Sequence, residues 1–189
     1  MSLLGDIAPS VQQVAEAIAI AVGVEVEIVD NELTIIGGTS IYQNRIGQKE
    51  EGGQVDGDFL YARVMRSGIT EYIEDAINYK YYDSVVPAGG QRELAEICTP
   101  IKLNGRILGV IGMIAIDENQ KAILLDRQRR MVGFAEKMAD LLAAKAAQKE
   151  ILDSSESLVN EVTTVLETTH EGIFALDNKG YILRCNSIA

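Results

Sequence analysis

Six side chains in this sequence carry the groups that a small-molecule site needs: Tyr42, Arg45, Tyr72, Tyr82, Arg92 and Cys98. Tyr42 and Arg45 stand in a glycine-punctuated stretch, 39–58, with Gly47, Gly52, Gly53 and Gly57 among charged residues. Tyr82 and Arg92 belong to a second irregular stretch, AINYKYYDSVVPAGGQRE, which together with Tyr72 holds four of the seven tyrosines. Tyrosine offers an apolar ring with a polar tip, and arginine a planar fork of donors suited to carboxylate or phosphate. Ligand pockets combine apolar walls with a few directional groups of this kind. Long loops inside a compact domain are usually functional or mobile. The spacing therefore predicts a ligand site under loops 39–58 and 75–93, against the strand that holds Cys98. Cys98 has two readings, a redox-sensing thiol or the small buried hydrophobe that an unpaired strand cysteine usually is.

Other chemistry is excluded by what the sequence lacks. His170 is the single histidine, so paired-histidine metal sites and a histidine-based triad find no partner. The glycine pairs 37–38, 52–53 and 89–90 have no following lysine of the phosphate-cradling kind, and they read as loops. No metal or cofactor is required by these residues. Two distant cysteines, 98 and 185, make no disulfide framework and fit a reducing, cytoplasmic setting. A formal charge of −11, with no basic residue before Arg45, argues against nucleic-acid binding by this segment. No apolar run approaches the ~20 residues of a membrane span.

These side chains need elements to position them. Pro9 suits a first helical turn, and Val11, Val14, Ala15, Ile18 and Val22 recur on one face up to Gly23. VEVEIVD, 24–30, alternates as a strand with Glu25 and Glu27 on a wet face; Asp30-Asn31 turns the chain into LTII, 33–36. The stretch 39–58 reads as a long loop, after which Asp58 caps a short helix, FLYARVMRS, closed by Gly68. ITEYIED, 69–75, follows as a strand. In AEICTPIKLNGRILGVIGMIAI, 95–116, Asn104-Gly105 is a strong hairpin signal, and the nearly continuous apolar return marks a central strand. Gly109 and Gly112 mark a close approach of backbone or a bulge, and Pro100 fits an edge or bulge. Asp117 with Gln120 reads as a capping box opening an exit helix. A heptad runs through Met131, Phe134, Met138, Leu141, Lys145, Gln148, Leu152, Ser155, Val159, Val162 and Leu166, predicting a dimeric signalling helix over 119–168. Asp153 with Glu156 offers a place where a fresh helix would start.

This order of elements, with CTPIKLNGRILGVIGMIAI as a late-strand signature, resembles GAF domains over residues 9–148. The tail VLETTHEGIFALDNKGYILRCNSIA, with Glu171-Gly172-Ile173, the Asp177 to Gly180 turn and Asn186, resembles the start of a PAS domain. The resemblance implies a mixed α/β (α+β) fold: a GAF-like antiparallel sheet with flanking helices (1–118), a signalling coiled coil (119–168) and an incomplete PAS hairpin (169–189). The chain is expected to be a piece cut inside a PAS domain, since natural proteins rarely end inside a domain; two strands bury too little to fold alone, so residues 171–189 are expected to be disordered or held by a neighbouring chain. The combination looks most like the sensor end of sigma-54-dependent transcriptional activators. Such proteins continue into an AAA+ ATPase and a DNA-binding domain. What the resemblance implies is a regulatory, non-enzymatic segment that binds a small-molecule effector, forms a homodimer through 119–168 and touches neither nucleic acid nor membrane itself. Some relatives carry several cysteines in the loop before the EIC strand, suggestive of metal or cluster binding, and here that loop has none. The rivals are the input region of a histidine kinase or cyclic-dinucleotide enzyme, and, from another class, a GAF-fold methionine sulfoxide reductase, which would want more cysteines than Cys98.

Overall fold

The computed structural model describes residues 2–82 and 92–189, so the expected loop at Gly89-Gly90 lies outside the described residues. The chain divides into compact units at 1–147 and 148–189.

In the first unit a short helix α1 (Leu3–Asp6), absent from the sequence expectation, precedes α2 (Ala8–Val22). Pro lies in the first turn of α2, and Gly23 closes it in the left-handed region at φ 82°, where a Cβ is costly. Strands β1 (Glu25–Asp30), β2 (Ile35–Gly38), β3 (Glu71–Ile73), β4 (Ala95–Leu103) and β5 (Arg106–Ala115) form one sheet in the order β2-β1-β5-β4-β3. Every pairing is antiparallel. The central place of β5 accounts for its unbroken apolar run. Asn104 and Gly105 join β4 to β5 with φ of 50° and 81°, the double left-handed turn that fits a twisted hairpin. Pro100 lies past the pairing of β3, which reaches only residues 96–98, so its missing N–H removes no bond to β3.

Period-2 alternation divides the sheet into faces. One carries Val26, Ile28, Ile97, Ile101, Ile111 and Met113, packed on Val11, Val14, Ala15 and Ile18 of α2 and on the base of the exit helix. From that helix come Ala135, Ala139, Leu142, Ala143 and Ala146, whose small side chains let it lie close to its neighbours. The other face carries Val29, Cys98 and Val110 beneath α3 (Leu60–Ser67).

Several expectations are corrected. The glutamates of β1 do not share a wet face: Glu27 is 2% exposed, because its side of the sheet is roofed rather than solvated. Residues 39–58 contain short 3-10 segments at Ser40–Arg45 and Glu50–Gly53 instead of a featureless loop. Asp58 does not cap α3; Phe59 is the N-cap residue, without a side-chain bond, and Glu51 supplies the acceptors from afar. The strand expected over 69–75 is confined to Glu71–Ile73. Asp117 does cap α4 (Glu118–Asp126), accepting from Gln120 N at 2.8 Å, while Gln120 Oε1 accepts from Ile116 N. The exit helix breaks at Arg127 rather than near Asp153, and α5 (Gln128–Thr168) then runs unbroken for 41 residues.

The second unit holds the last turns of α5 and an antiparallel hairpin, β6 (Phe174–Leu176) with β7 (Ile182–Cys185), whose strand residues are exposed. Asn186 is its buried polar anchor. Its Oδ1 accepts from Ile173 N at 2.9 Å, and its Nδ2 donates to Leu166 O and Glu171 O.

Candidate functional site

The roofed face of the sheet holds a small cavity of about 20 Å³, lined by Glu27, Glu50, Glu51, Glu93 and Glu96 together with Leu60, Tyr61 and Tyr82. Glu27 projects from β1 and Glu96 from β4, on either side of β5. Between them β5 places Gly112, in register with Glu27 on one side and Cys98 on the other. A Cβ at Gly112 would stand 2.2 Å from the Tyr61 hydroxyl and 2.5 Å from Glu96 Oε1, so only glycine leaves the floor open. Tyr61 comes from the first turn of α3, and Glu51 holds that turn: its carboxylate accepts from Tyr61 N at 2.6 Å and Ala62 N at 3.0 Å. These are N–H groups that a helix start leaves unpaired, and a negative charge there also meets the positive end of the helix dipole.

A hydroxyl and guanidinium network ties the carboxyl groups together. Tyr42 and Tyr82 both donate to Glu93, and Tyr82 also donates to Glu96 Oε2 at 2.9 Å. Arg45 pairs with Glu50 Oε2 at 2.5 Å and stands 3.5 Å from Glu27 Oε1, an ion-pair distance. Among the described residues, Glu27 Oε1 and Glu96 Oε1 are buried and accept no hydrogen bond. The third such atom, Thr99 Oγ1, belongs to a residue of the other strand parity in β4 and does not line the cavity.

Burial dominates the electrostatics. It raises Glu27 and Glu96 well above the ordinary carboxylate range. For Glu27 the neighbouring Glu50 adds to the rise and Arg45 opposes it; for Glu96 the neighbour is Glu93 and the Tyr61 hydroxyl opposes. Glu93 is pushed up to about 7, burial again leading, with the Tyr42 hydroxyl pulling it down and Glu50 up. Arg45 is lowered by burial and raised by Glu27 and Glu50, with a net rise that keeps it charged. The cavity thus gathers three glutamates whose charged form burial disfavours beside tyrosine hydroxyls.

Of the six side chains singled out from sequence, Tyr42, Arg45 and Tyr82 meet around this cluster. Cys98 shares the face, two residues from Glu96 on β4, but is fully buried in the apolar cluster below α3 and does not line the cavity. Its thiol is pushed up by burial and by Glu96. Tyr72 packs against the helix-covered core on the opposite face, and Arg92 is exposed. Tyr79 and Tyr81 gather at Arg63: Tyr79 donates to Glu71 and Arg63 stacks 4.5 Å from the Tyr81 ring centre. The acids were missed because strand alternation was taken to mean a wet face. The available signal was a glutamate at 27 and another at 96, each in a strand of apolar residues where Glu is normally depleted. Among the described residues no group of three His, Cys, Asp or Glu side chains has metal-binding geometry, and no helix is long and apolar enough to cross a membrane.

No protein-family model matches the chain. It is 23% identical over 192 aligned positions to a protein of Escherichia coli described as a uric acid sigma-54-dependent transcriptional regulator, UacR; the match takes in all of this chain and 31% of that protein. The chain therefore spans about a third of the length of that relative. Among solved structures, a type II free methionine-R-sulfoxide reductase from Thermoplasma acidophilum superposes with TM-score 0.56 at 17% identity, over 77% of this chain and 96% of that one. The GAF domain of A. aeolicus nlh2, in an inactive state, gives 0.56 at 19% identity over 72% and 82% of the respective chains. The sheet order, flanking helices and long C-terminal helix are those of the GAF fold, in a chain similar to a sigma-54-dependent regulator.

Proposed function

We propose that residues 1–147 sense a small-molecule effector for a transcriptional regulator of the sigma-54-dependent type, and that α5 carries the signal to an AAA+ ATPase and a DNA-binding domain. The observation that carries this is the small polar cavity under α3, where Glu96 Oε1 and Glu27 Oε1 accept no hydrogen bond from the described residues and only Glu27 has an arginine at ion-pair distance. A core built for stability alone would fill such a space with apolar side chains, since an unpaired buried polar group costs about 1–3 kcal/mol. An effector that binds there stabilises the arrangement of Tyr61, Tyr82 and α3, and so biases the domain between states. Binding is the role of these residues, not catalysis. The sulfoxide reductase alternative is disfavoured by Cys98, which is buried away from the cavity with its thiol pushed up, the reverse of a reactive cysteine. A histidine-kinase or cyclic-dinucleotide output shares the same sensing chemistry and differs only in the domains attached.

Signalling would pass through a homodimer of α5. Its distal half exposes Ile151, Leu152, Leu158, Val159, Val162 and Val165, each more than half exposed, and the heptad positions 152, 159 and 162 are among them. Residues 169–189 supply the entry hairpin of a PAS domain, with Asn186 locking the turn from helix to strand.

A thermal-shift screen tests the sensing role. Uric acid, the compound named for the Escherichia coli relative, heads a panel of amino acids, organic acids and purines. At about 100 times its dissociation constant a ligand adds about 2.7 kcal/mol, or roughly 5–10 °C for a chain of this size. A flat response across the panel would remove the support for a sensory cavity.

A further inference from the structure

We propose that the cavity under α3 takes a single ammonium ion, held by hydrogen bonds to Glu96 Oε1, Glu27 Oε1 and the hydroxyl oxygens of Tyr61 and Tyr82. This rests on the sensory role proposed above and names an effector of the size that the closed cavity admits. The room is about 20 Å³, and one water-sized species needs at least about 10–15 Å³, so the occupant is a single small polar species. Glu96 is 2% exposed and lines the cavity; Tyr82 donates to its Oε2, while its Oε1 accepts no bond from the described residues. A buried carboxyl oxygen left in this way is costly until a donor meets it. Glu27, equally buried, faces the same space from the other side of β5, where its Oε1 has Arg45 at 3.5 Å. The bare backbone of Gly112 leaves room for the Tyr61 hydroxyl beside Glu96 Oε1.

The wall decides among the small species. It consists of five carboxyl groups, two phenol hydroxyls and Leu60, and the Arg45 guanidinium pairs with Glu50 and Glu27 without lining the space. Carboxylate oxygens accept, and the Tyr82 hydroxyl already donates to Glu93 and Glu96, which leaves its lone pairs facing inward. The occupant must therefore donate in several directions. A small anion meets acceptors on every side and is repelled. Water donates twice and wants donors for its own lone pairs, which such a wall supplies poorly; ammonium donates four times and accepts nothing. A metal ion is disfavoured, because among the described residues no group of three acids has metal-binding geometry. The charge balance points the same way. The Tyr61 and Ala62 N–H groups hold Glu51, Arg45 pairs with Glu50, and among the described residues Glu93 and Glu96 have no cationic side chain at ion-pair distance. A buried carboxylate needs a paired countercharge, and an enclosed cation supplies it.

Thermal unfolding of the whole chain in ammonium chloride, against sodium and potassium chloride at the same ionic strength, tests the assignment. An occupant at about ten times its dissociation constant raises the melting temperature by roughly 3–6 °C in a chain of this size, and ammonium should do so where sodium and potassium do not. Methylammonium, one carbon larger, should bind about tenfold more weakly or worse, since the space holds one water-sized species. Glu96→Gln should remove the ammonium shift, because the glutamine amide is uncharged and brings its own N–H donors. Isotope-labelled ammonium gives a second reading that needs no variant: its N–H protons, shielded from solvent, should show slow exchange and nuclear Overhauser contacts to the Tyr61 and Tyr82 rings. No ammonium-specific shift and no slowly exchanging signal would mean that the cavity holds water only, and would overturn the assignment. An equal shift with potassium, or a full ammonium shift in Glu96→Gln, would overturn it as well. If the organic panel still raises the melting temperature after such a result, the sensory role stands without ammonium; if that panel is also flat, both fall.

Discussion

Replacing Glu51 by Ala removes the carboxylate that, among the described residues, is bonded to the start of α3, and the cost follows from its geometry. Two bonds are lost, to Tyr61 N at 2.6 Å and Ala62 N at 3.0 Å, from a side chain 5% exposed. Hydrogen bonds to a charged group contribute about 1.5–3 kcal/mol each, which gives roughly 3–6 kcal/mol for the pair. Against this, Glu51 is the smallest of the charges that raise Glu96, and removing it offsets a minor part of that loss. The net loss is about 2–5 kcal/mol, or roughly 4–20 °C in melting temperature at about 2–4 °C per kcal/mol for a chain this long. The effect should be large because α3 has eight residues and Phe59 gives it no cap. Urea unfolding followed by tyrosine fluorescence isolates the relevant unit, since six of the seven tyrosines lie before residue 83. A second-site change makes the mechanism specific: Phe59→Asp, at a backbone φ of −72° and ψ of 170° suited to an N-cap, should recover about 1 kcal/mol in the Glu51→Ala background. A loss below about 1 kcal/mol for Glu51→Ala, with the urea slope unchanged, would refute the role given to this carboxylate.

Three further outcomes are expected. Glu93 has a folded pKa near 7, above its unfolded value, so its stabilising contribution is complete below about 4.5 and is lost as pH rises through 7. Urea midpoints should fall between pH 5 and 8, Glu93→Gln should flatten the slope, and a wild-type midpoint that climbs with pH would contradict the buried acids. Gly109→Ala should cost about 3 kcal/mol or prevent folding, because its Cβ would meet Val29 O at 2.0 Å; Gly112→Ala meets only the ends of Tyr61 and Glu96 and should fold, yet lose the thermal shift given by any effector the screen finds. Truncation after Ala147, the end of the first compact unit, should leave a folded domain that sediments as a smaller species than the full chain; equal association of both would dispose of the α5 dimer.

The sheet and its helices were legible because each has a local cause that the sequence displays. Asn104-Gly105 sets the hairpin by its left-handed backbone, Gly23 and Gly68 close helices for the same reason, and the apolar period of 11, 14, 15 and 18 marks the face of α2. Gly109 and Gly112 were legible as places of close approach, though not as what they approach. The break at Arg127 had no glycine or proline to announce it.

The site was legible only in part, and the reason is a property of alternation. A strand with Val26 and Ile28 on one side and Glu25 and Glu27 on the other has the same pattern whether its polar face meets water or a roof. What decides is whether residues from far along the chain cover that face: here Arg45, Glu51 and Tyr61 close over Glu27 from 18 to 34 positions away. Local pattern does not carry that information. Tyr42, Arg45 and Tyr82, which lie around the acids, draw notice in the sequence because aromatic and guanidinium groups in long loops suggest a site wherever the loops fall. The acids do not, because a strand glutamate suggests solvent. Burial then changes the chemistry of those same residues: it disfavours the charged form of Glu27 and Glu96, which water would otherwise solvate. The arginine that by type invites an anion is consumed holding two of the acids in place. A site that reads as cationic from its loops is therefore acidic in its walls, and the change of sign comes from tertiary contact alone.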